Sequence, residues 1–315
     1  KWERTLSTNI GVDFTAFRGR VDLSADYYIK NTDNLLLDIT KAPSVGVTTS
    51  RENIGEVQNS GFELRLRTFP IQNKDWQWSL GLTYAYNKNK IKKISNSLRE
   101  QNEKNKADNG VAPLPIYEEG QSLTALKVVP SAGIDPVTGQ EIFIKRDGTY
   151  TFVYDSNDKV IFGDTNPIGT GSINSYLTYK RFALSCSFLY SFGGSLYNET
   201  LATKVEGANP KYNADERVLN DRWKTPGTIA KYKRIDDTTT PYQTSRFVEK
   251  NNFLRMSSLS LSYEVPTTFI QKYGLKRMFL ELLTNDLFYL STAKRERGLN
   301  YPYDRSFEFS VRFSL

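Results

Sequence analysis

LSTNIGVDFTAFRGRVDLSADYY, residues Leu6 to Tyr28, reads as two strands folded back on a tight turn. Leu6, Ile10, Val12, Phe14 and Ala16 share one face, while Ser7, Asn9, Gly11, Asp13 and Thr15 share the other, the period-two signature of a strand with one apolar side. Arg18, Gly19 and Arg20 turn the chain, and Val21, Leu23, Ala25 and Tyr27 alternate with Asp22, Ser24 and Asp26 on the return.

The same alternation recurs to the end of the chain. Phe62, Leu64 and Leu66 alternate with charged residues, and Trp76, Trp78, Leu80, Leu82, Tyr84 and Tyr86 alternate with small polar ones. Further strands are expected around Ile173 to Tyr179, Leu184 to Phe192, Leu259 to Val265 and Met278 to Leu290. The last is Phe307, Phe309, Val311, Phe313 and Leu315. Nine to eleven antiparallel strands with little helix are expected, and the segment 120–163 is either wall strands or a folded outer loop.

Alternation alone suits a soluble sandwich as well as a membrane barrel. Connection lengths separate the two. The stretches 18–20, 69–75, 180–182 and 266–276 are short, whereas 193–252, 291–305 and a Lys- and Asn-rich stretch after Tyr86 are long, and the two kinds take turns along the chain. Outer-membrane barrels place short turns at one end and long loops at the other, and a sandwich has no reason to.

Among 315 residues there are no His and one Cys, Cys186, which removes imidazole catalysis, His-ligated metals and any intrachain disulfide. No cofactor is expected. Aromatic residues are plentiful, 4 Trp, 19 Tyr and 18 Phe, yet no run of apolar residues approaches the roughly 20 that a membrane helix needs. The net charge of +7 is dispersed among alternating acids, so nucleic acid is not an expected partner. Lys1 opens directly into what reads as a strand, and the chain is expected to be a piece of a longer one or a strongly trimmed one.

With these residues in view, the chain resembles the C-terminal part of a SusC/RagA-type TonB-dependent outer-membrane transporter. The opening Trp2 to Leu37 carries the family's strand, turn and strand. NIGEVQNSGFEL (Asn53 to Leu64) is the sharpest match. WSLGLTYAYNKNKI (Trp78 to Ile91), GIDPVTG (Gly133 to Gly139), YKRFALSCSFLYSFGGSLYN (Tyr179 to Asn198) and NNFLRMSSLSLSYEVP (Asn251 to Pro266) follow in the family's order. Two places depart from it: the chain ends on Leu315 where Phe is common, and Thr284 to Leu287 replaces a Gly-Gln-Asn-Leu-like run.

The resemblance implies an all-β fold, an antiparallel transmembrane β-barrel of which residues 1–315 are the C-terminal half of 22 strands, with long extracellular loops. Plug domain and TonB box would lie outside these residues. It implies an outer membrane of a Gram-negative bacterium, a SusD-like lipoprotein partner, the TonB complex reached through the N-terminal region, and oligosaccharide or oligopeptide cargo. The competing expectation is a soluble extracellular β-sandwich that binds glycans. No enzyme is expected: Asp236 and Asp237 are adjacent on the chain and would point to opposite faces of a strand, which does not suit a glycosidase pair.

Within the long 193–252 loop, Arg222, Trp223, Tyr232 and Tyr242 are the candidate contacts for cargo or partner, since rings beside charges suit sugar stacking or peptide capture. The alternative for Arg222, Trp223, Pro226 and Gly227 is a brace within the loop. Trp76 and Trp78 are expected as interfacial anchors, Cys186 as a lipid-facing apolar residue, Gly193 and Gly194 as a turn leaving the wall, and Lys88, Lys90, Lys92 and Lys93 as a solvated loop entrance.

Overall fold

Pairing follows chain order almost throughout. The computed structural model describes residues 1–40, 49–209, 211–212, 214–294, 296 and 304–314, so the expectation for Leu315 lies outside the described residues. Strands β1 (Arg4–Ala16), β2 (Val21–Thr40), β3 (Thr49–Gln72) and β4 (Trp76–Ile94) form a meander, and helix α1 (Asn96–Ala107) follows. Five short strands come next: β5 (Ala125–Val128), β6 (Ser131–Ile134), β7 (Glu141–Ile144), β8 (Tyr150–Thr151) and β9 (Val160–Asp164). The chain then returns through β10 (Gly169–Tyr179) and β11 (Phe182–Tyr197), and passes α2 (Arg217–Asn220) into β12 (Val248–Glu264). It ends with α3 (Thr267–Ile270), β13 (Arg277–Asn285), β14 (Tyr289–Ser291) and β15 (Phe307–Ser314).

One ten-stranded sheet makes the wall, in the order β1-β2-β3-β4-β10-β11-β12-β13-β15, with β14 joined to β12. Every neighbouring pair is antiparallel. Because residues opposite one another share a face, the register carries a single apolar surface across the wall. Phe14 faces Leu23, Leu23 faces Leu66, and Leu66 faces Leu82. Leu82 faces Ile173, and Ile173 faces Phe188. Farther along, Leu184 faces Leu261, Leu261 faces Leu282, and Leu282 faces Phe309.

Nothing among the described residues covers this surface: Ile173, Leu261 and Leu282, all on interior strands, are 38%, 45% and 46% exposed. A sandwich would bury them against a second sheet. The two compact hydrophobic clusters lie elsewhere, at the end where the long connections gather, the first on the far ends of β2, β3 and β4 under α1 and the second in the 198–247 stretch. One is Ile39, Ile54, Val57, Ile91, Ile94 and Leu98. The other is Leu201, Ala202, Val205, Val218, Tyr232 and Phe247.

On the opposite face the wall is polar and hydrogen-bonded along its width. Ser24 donates to Asp13 at 2.5 Å and Thr15 to Asp22 at 3.0 Å. Thr83 pairs with Ser172 at 2.9 Å, Ser187 donates to Asn174 at 2.7 Å, and Arg312 and Ser260 both reach Glu281 at 2.8 Å.

NIGEVQNSGFEL earns its shape in the middle of β3. Gly55 has φ +143 beside a register shift against β4, and a Cβ there would lie 1.9 Å from the Lys93 carbonyl oxygen. Asn53 donates to the carbonyl of Asn34 at 2.8 Å. Gly61 leaves room for the Tyr28 ring, which a Cβ would meet at 2.4 Å.

The structure corrects several expectations and decides one left open. For segment 120–163 the sequence allows both wall strands and a folded outer loop, and the loop reading holds: β5 pairs β9 and β6-β7-β8 form a separate three-stranded sheet, apart from the ten-stranded one. Lys88, Lys90, Lys92 and Lys93 stand on β4, which runs on to Ile94, instead of on a loop. The stretch beyond contains α1, capped where Ser95 accepts from the Leu98 N–H. Gly193 and Gly194 mark a bulge, since β11 pairs with β12 up to Tyr197. The strand expected over Met278 to Leu290 breaks at Asp286, whose φ is 54, into β13 and β14.

Candidate functional site

The body at the long-loop end is built from 95–168 and 198–247, and two sequence motifs meet in it. In GIDPVTG, Asp135 accepts from the N–H groups of Val137 and Thr138 and from the Thr138 hydroxyl, at 3.2, 3.1 and 2.6 Å, closing a tight turn. These bonds hold its carboxyl below the usual range. The turn leaves the Pro136 carbonyl facing the 198–247 loop, where it accepts from Trp223 Nε1 and the Gly227 N–H, both at 2.8 Å. Gly139, at φ +72, lies under the indole, so a Cβ would come within 2.6 Å of the ring. Trp223 and Gly227 therefore act as the brace that was one expectation for this stretch.

Arg222 is 4% exposed. Its guanidinium donates only to main-chain carbonyls: Val218 at 3.1 Å, Lys233 at 3.3 Å, Val205 at 2.7 Å and Glu206 at 2.8 Å. Tyr232 packs in the hydrophobic cluster with Val205, Val218 and Phe247. Both are committed inside the loop body, where desolvation pushes the Tyr232 phenol above its ordinary value and the Arg222 guanidinium below its own. Tyr242 is different: it is 37% exposed and stacks on Tyr154 with centroids 4.2 Å apart. Arg222, Trp223 and Tyr232 are thus neighbours, and Tyr242 belongs to a second aromatic group with Tyr154 and Phe143. Asp236 pairs with Arg234 and Asp237 with Lys233, so the two carboxylates are held by separate cations.

A centre that sequence reasoning missed lies between these groups. Arg246 donates to Glu141 at 2.7 and 2.6 Å, to Glu206 at 2.6 and 2.8 Å, and to the Lys231 carbonyl at 2.9 Å. All five N–H bonds of the guanidinium are taken. The side chains of Arg246, Glu141 and Glu206 are 9%, 6% and 0% exposed. Glu141 comes from β7, Glu206 from a π-helical turn (Leu201–Glu206) and Arg246 from just before β12, so one cation ties three loop segments together. No local spacing signals a triad whose members lie 105 and 40 residues from their partner.

Two further features frame the body. Gln243 is fully buried and donates to the carbonyls of Gly110 and Ala112 at 2.8 and 3.1 Å. Arg217 bridges Asp215 and Glu296 at 2.6 and 2.9 Å, joining the 198–247 loop to the segment before β15; the arginine's hydrogen bond holds the Asp215 carboxyl well below the usual carboxylate range. Among the described residues no group of His, Cys, Asp and Glu has the arrangement of a metal site.

On the wall, aromatic rings gather at two levels. Near the short turns Trp76 lies 4.1 Å from Tyr179, and Phe182 lies 4.7 Å from Tyr263. Toward the long loops Phe62, Tyr84 and Phe192 form a second group. Trp76 to Tyr84 is eight residues on β4, about 26 Å along the strand and about 20 Å along the normal at the tilt of barrel strands.

The family model described as TonB dependent receptor-like, beta-barrel matches residues 1–117. The chain is similar to TonB-dependent receptor β-barrels of the SusC kind. The SusC-like segment is 29% identical over 301 residues to TonB-dependent receptor P3 of Formosa agariphila, covering 89% of the chain and 29% of that protein. With TonB-dependent receptor SusC of Bacteroides thetaiotaomicron it shares 27% identity over 274 residues, 84% of the chain and 26% of that protein. It thus spans under a third of the length of these relatives. Its fold superposes on a structure titled the RagAB peptide importer in the closed-closed state with a TM-score of 0.80 at 22% identity, over 99% of the chain and 35% of that one. The relatives are receptors by name, and none of the names describes an enzyme.

Proposed function

We propose that the SusC-like segment is the C-terminal half of the wall of a 22-stranded, TonB-dependent outer-membrane importer. Its apolar face would meet lipid and its polar face the lumen, with the long-loop body outside the cell. The uncovered apolar surface carried across nine neighbouring strands is the observation that supports this, because only a lipid phase satisfies such a face at so large an area. Trp76 and Trp78 then anchor the wall at the periplasmic interface, and Cys186, on the face of Leu184 and Phe188, lies in the hydrocarbon.

In this reading the cargo is an oligosaccharide or an oligopeptide, a SusD-like lipoprotein closes over the loop body, and the TonB complex acts through a plug outside residues 1–315. Tyr242 and Trp223 would then be the contacts for cargo or partner, and Arg222 and Tyr232 would hold the loop behind them; the exposure of Tyr242 and the burial of Arg222 and Tyr232 support it. The test is the native polypeptide detected in fractionated envelope with an antibody to 198–247. An outer-membrane band about three times as long as 315 residues is expected, as the 29% share of the relative suggests. Leu82, Phe188 and Phe313 should label with a lipid-restricted probe. A soluble band of 315 residues without labelling would overturn the proposal.

A further inference from the structure

Between α1 and the β5–β9 pair lies a cleft of about 420 Å³ whose lining is charged out of proportion: Arg99, Lys106, Lys127, Arg146 and Lys159 against Glu100, Glu103 and Glu118. The lysines of the floor are made, by burial, into fixed parts of the fold. Lys127 is 5% exposed and Lys159 3%. Lys127 is answered by Glu118 at 2.5 Å, and Arg99 on the rim by Glu119 at 3.2 Å.

The other three cations have no carboxylate within ion-pair reach among the described residues. Lys159 donates to the carbonyls of Lys106 and Asp108 at 3.2 and 3.4 Å, which leaves one of its three N–H bonds without a partner among the described residues. Arg146 gives one bond to the Lys159 carbonyl at 3.1 Å and keeps the rest of its fork open. The Asp108 carboxylate acts on Lys159 from beyond ion-pair reach, and Lys106 opposes it. A desolvated ammonium hydrogen-bonded to neutral carbonyls, with a guanidinium that has no carboxylate partner beside it, attracts an anion that can accept several hydrogen bonds. Glu100 and Glu103 stand exposed on α1, where they repel a ligand carrying charge along its whole length and leave room for one carrying its charge at a single point.

We propose that this cleft is a carboxylate-binding subsite, which seats a single carboxylate of the cargo or of a cargo end group over Lys106, Arg146 and Lys159. The inference rests on the importer reading above and narrows its cargo to molecules with such a group. Two sources share that chemistry, a peptide C-terminus and a terminal uronic acid.

The experiment uses the full-length protein purified from the outer membrane in detergent. Calorimetric titration is made with N-acetyl-trialanine and its C-terminal amide, and with cellobiouronic acid, whose one carboxylate is on its terminal uronate, and its methyl ester. At least one carboxylate probe should bind tenfold or more tightly than its neutral counterpart, weakening with added salt. The rim double variant Lys106→Gln/Arg146→Gln, which leaves the buried floor intact, should lose that preference while keeping its heat-modifiable gel mobility. Preference for the peptide acid alone assigns the C-terminus as source, and preference for the uronate alone assigns the sugar; either supports the subsite. Equal binding of charged and neutral probes, binding of neither acid, or an unchanged preference in the double variant overturns it. Outer-membrane location and chain length, measured on the same preparation, stand or fall separately and report on the importer reading alone.

Discussion

Replacing Arg246 by Met removes the one cation that Glu141 and Glu206 share, and it does so without opening a large void. Two carboxylates, 6% and 0% exposed, are then left facing each other with four hydrogen bonds lost between them. Removing one partner of a buried ion pair costs about 3–5 kcal/mol, since the remaining charge is neither solvated nor paired. At about 1.4 kcal/mol per factor of ten, the opened form of the loop body should become more populated by about a hundredfold to several thousandfold. Hydrogen exchange of the full-length protein in detergent reads this directly. Peptides from 131–144 and 198–247 should exchange faster by that factor, and those from β4 should not change. The triple variant Arg246→Met/Glu141→Gln/Glu206→Gln should recover most of the protection, because it removes the charges with the cation. Unchanged exchange in 131–144 for Arg246→Met would refute the keystone role, and so would equal loosening of the wall.

Other outcomes follow from single contacts. Gly55→Ala should abolish assembly into heat-modifiable barrel, because the new Cβ meets the Lys93 carbonyl at 1.9 Å in a backbone of φ +143. Gly139→Ala should displace the Trp223 indole and free Pro136 from its two donors, seen as a red shift of tryptophan emission and new protease nicking in 198–247. The Asp215 carboxyl is held below its unfolded value of about 3.9, so its contribution to the clasp with Arg217 and Glu296 is present above that value and fades only as pH falls through the lowered one. Protease resistance of 211–217 should persist to pH 4 in the native chain and be reduced at every pH in Asp215→Asn.

The wall was readable because each strand writes its environment in a period of two. Leu82 or Phe188 announces its face by its neighbours two residues away, and the meander joins strands that are also adjacent in sequence. The loop body obeys no such rule. α1 carries one buried aliphatic residue, Leu98, while its other buried positions are Asn102 and Asn105, so no apolar stripe betrays the helix. Arg222 and Tyr232 look like binding residues in a sequence, since an arginine and a ring are equally suited to hold a ligand or a loop. Only the four carbonyls around Arg222 separate those roles. Glu141, Glu206 and Arg246 are ordinary charged residues until the chain path brings them together.

Those carbonyl contacts have a consequence for how the protein can change. Arg222, Asn102, Asn105 and Gln243 hold the body by reading backbone, which every residue type possesses. A scaffold fastened in this way is indifferent to the identity of the side chains it passes. Mutations on the outward positions of the loops can therefore accumulate without loosening the frame, and the outer surface is free to vary in chemistry while its geometry is inherited unchanged.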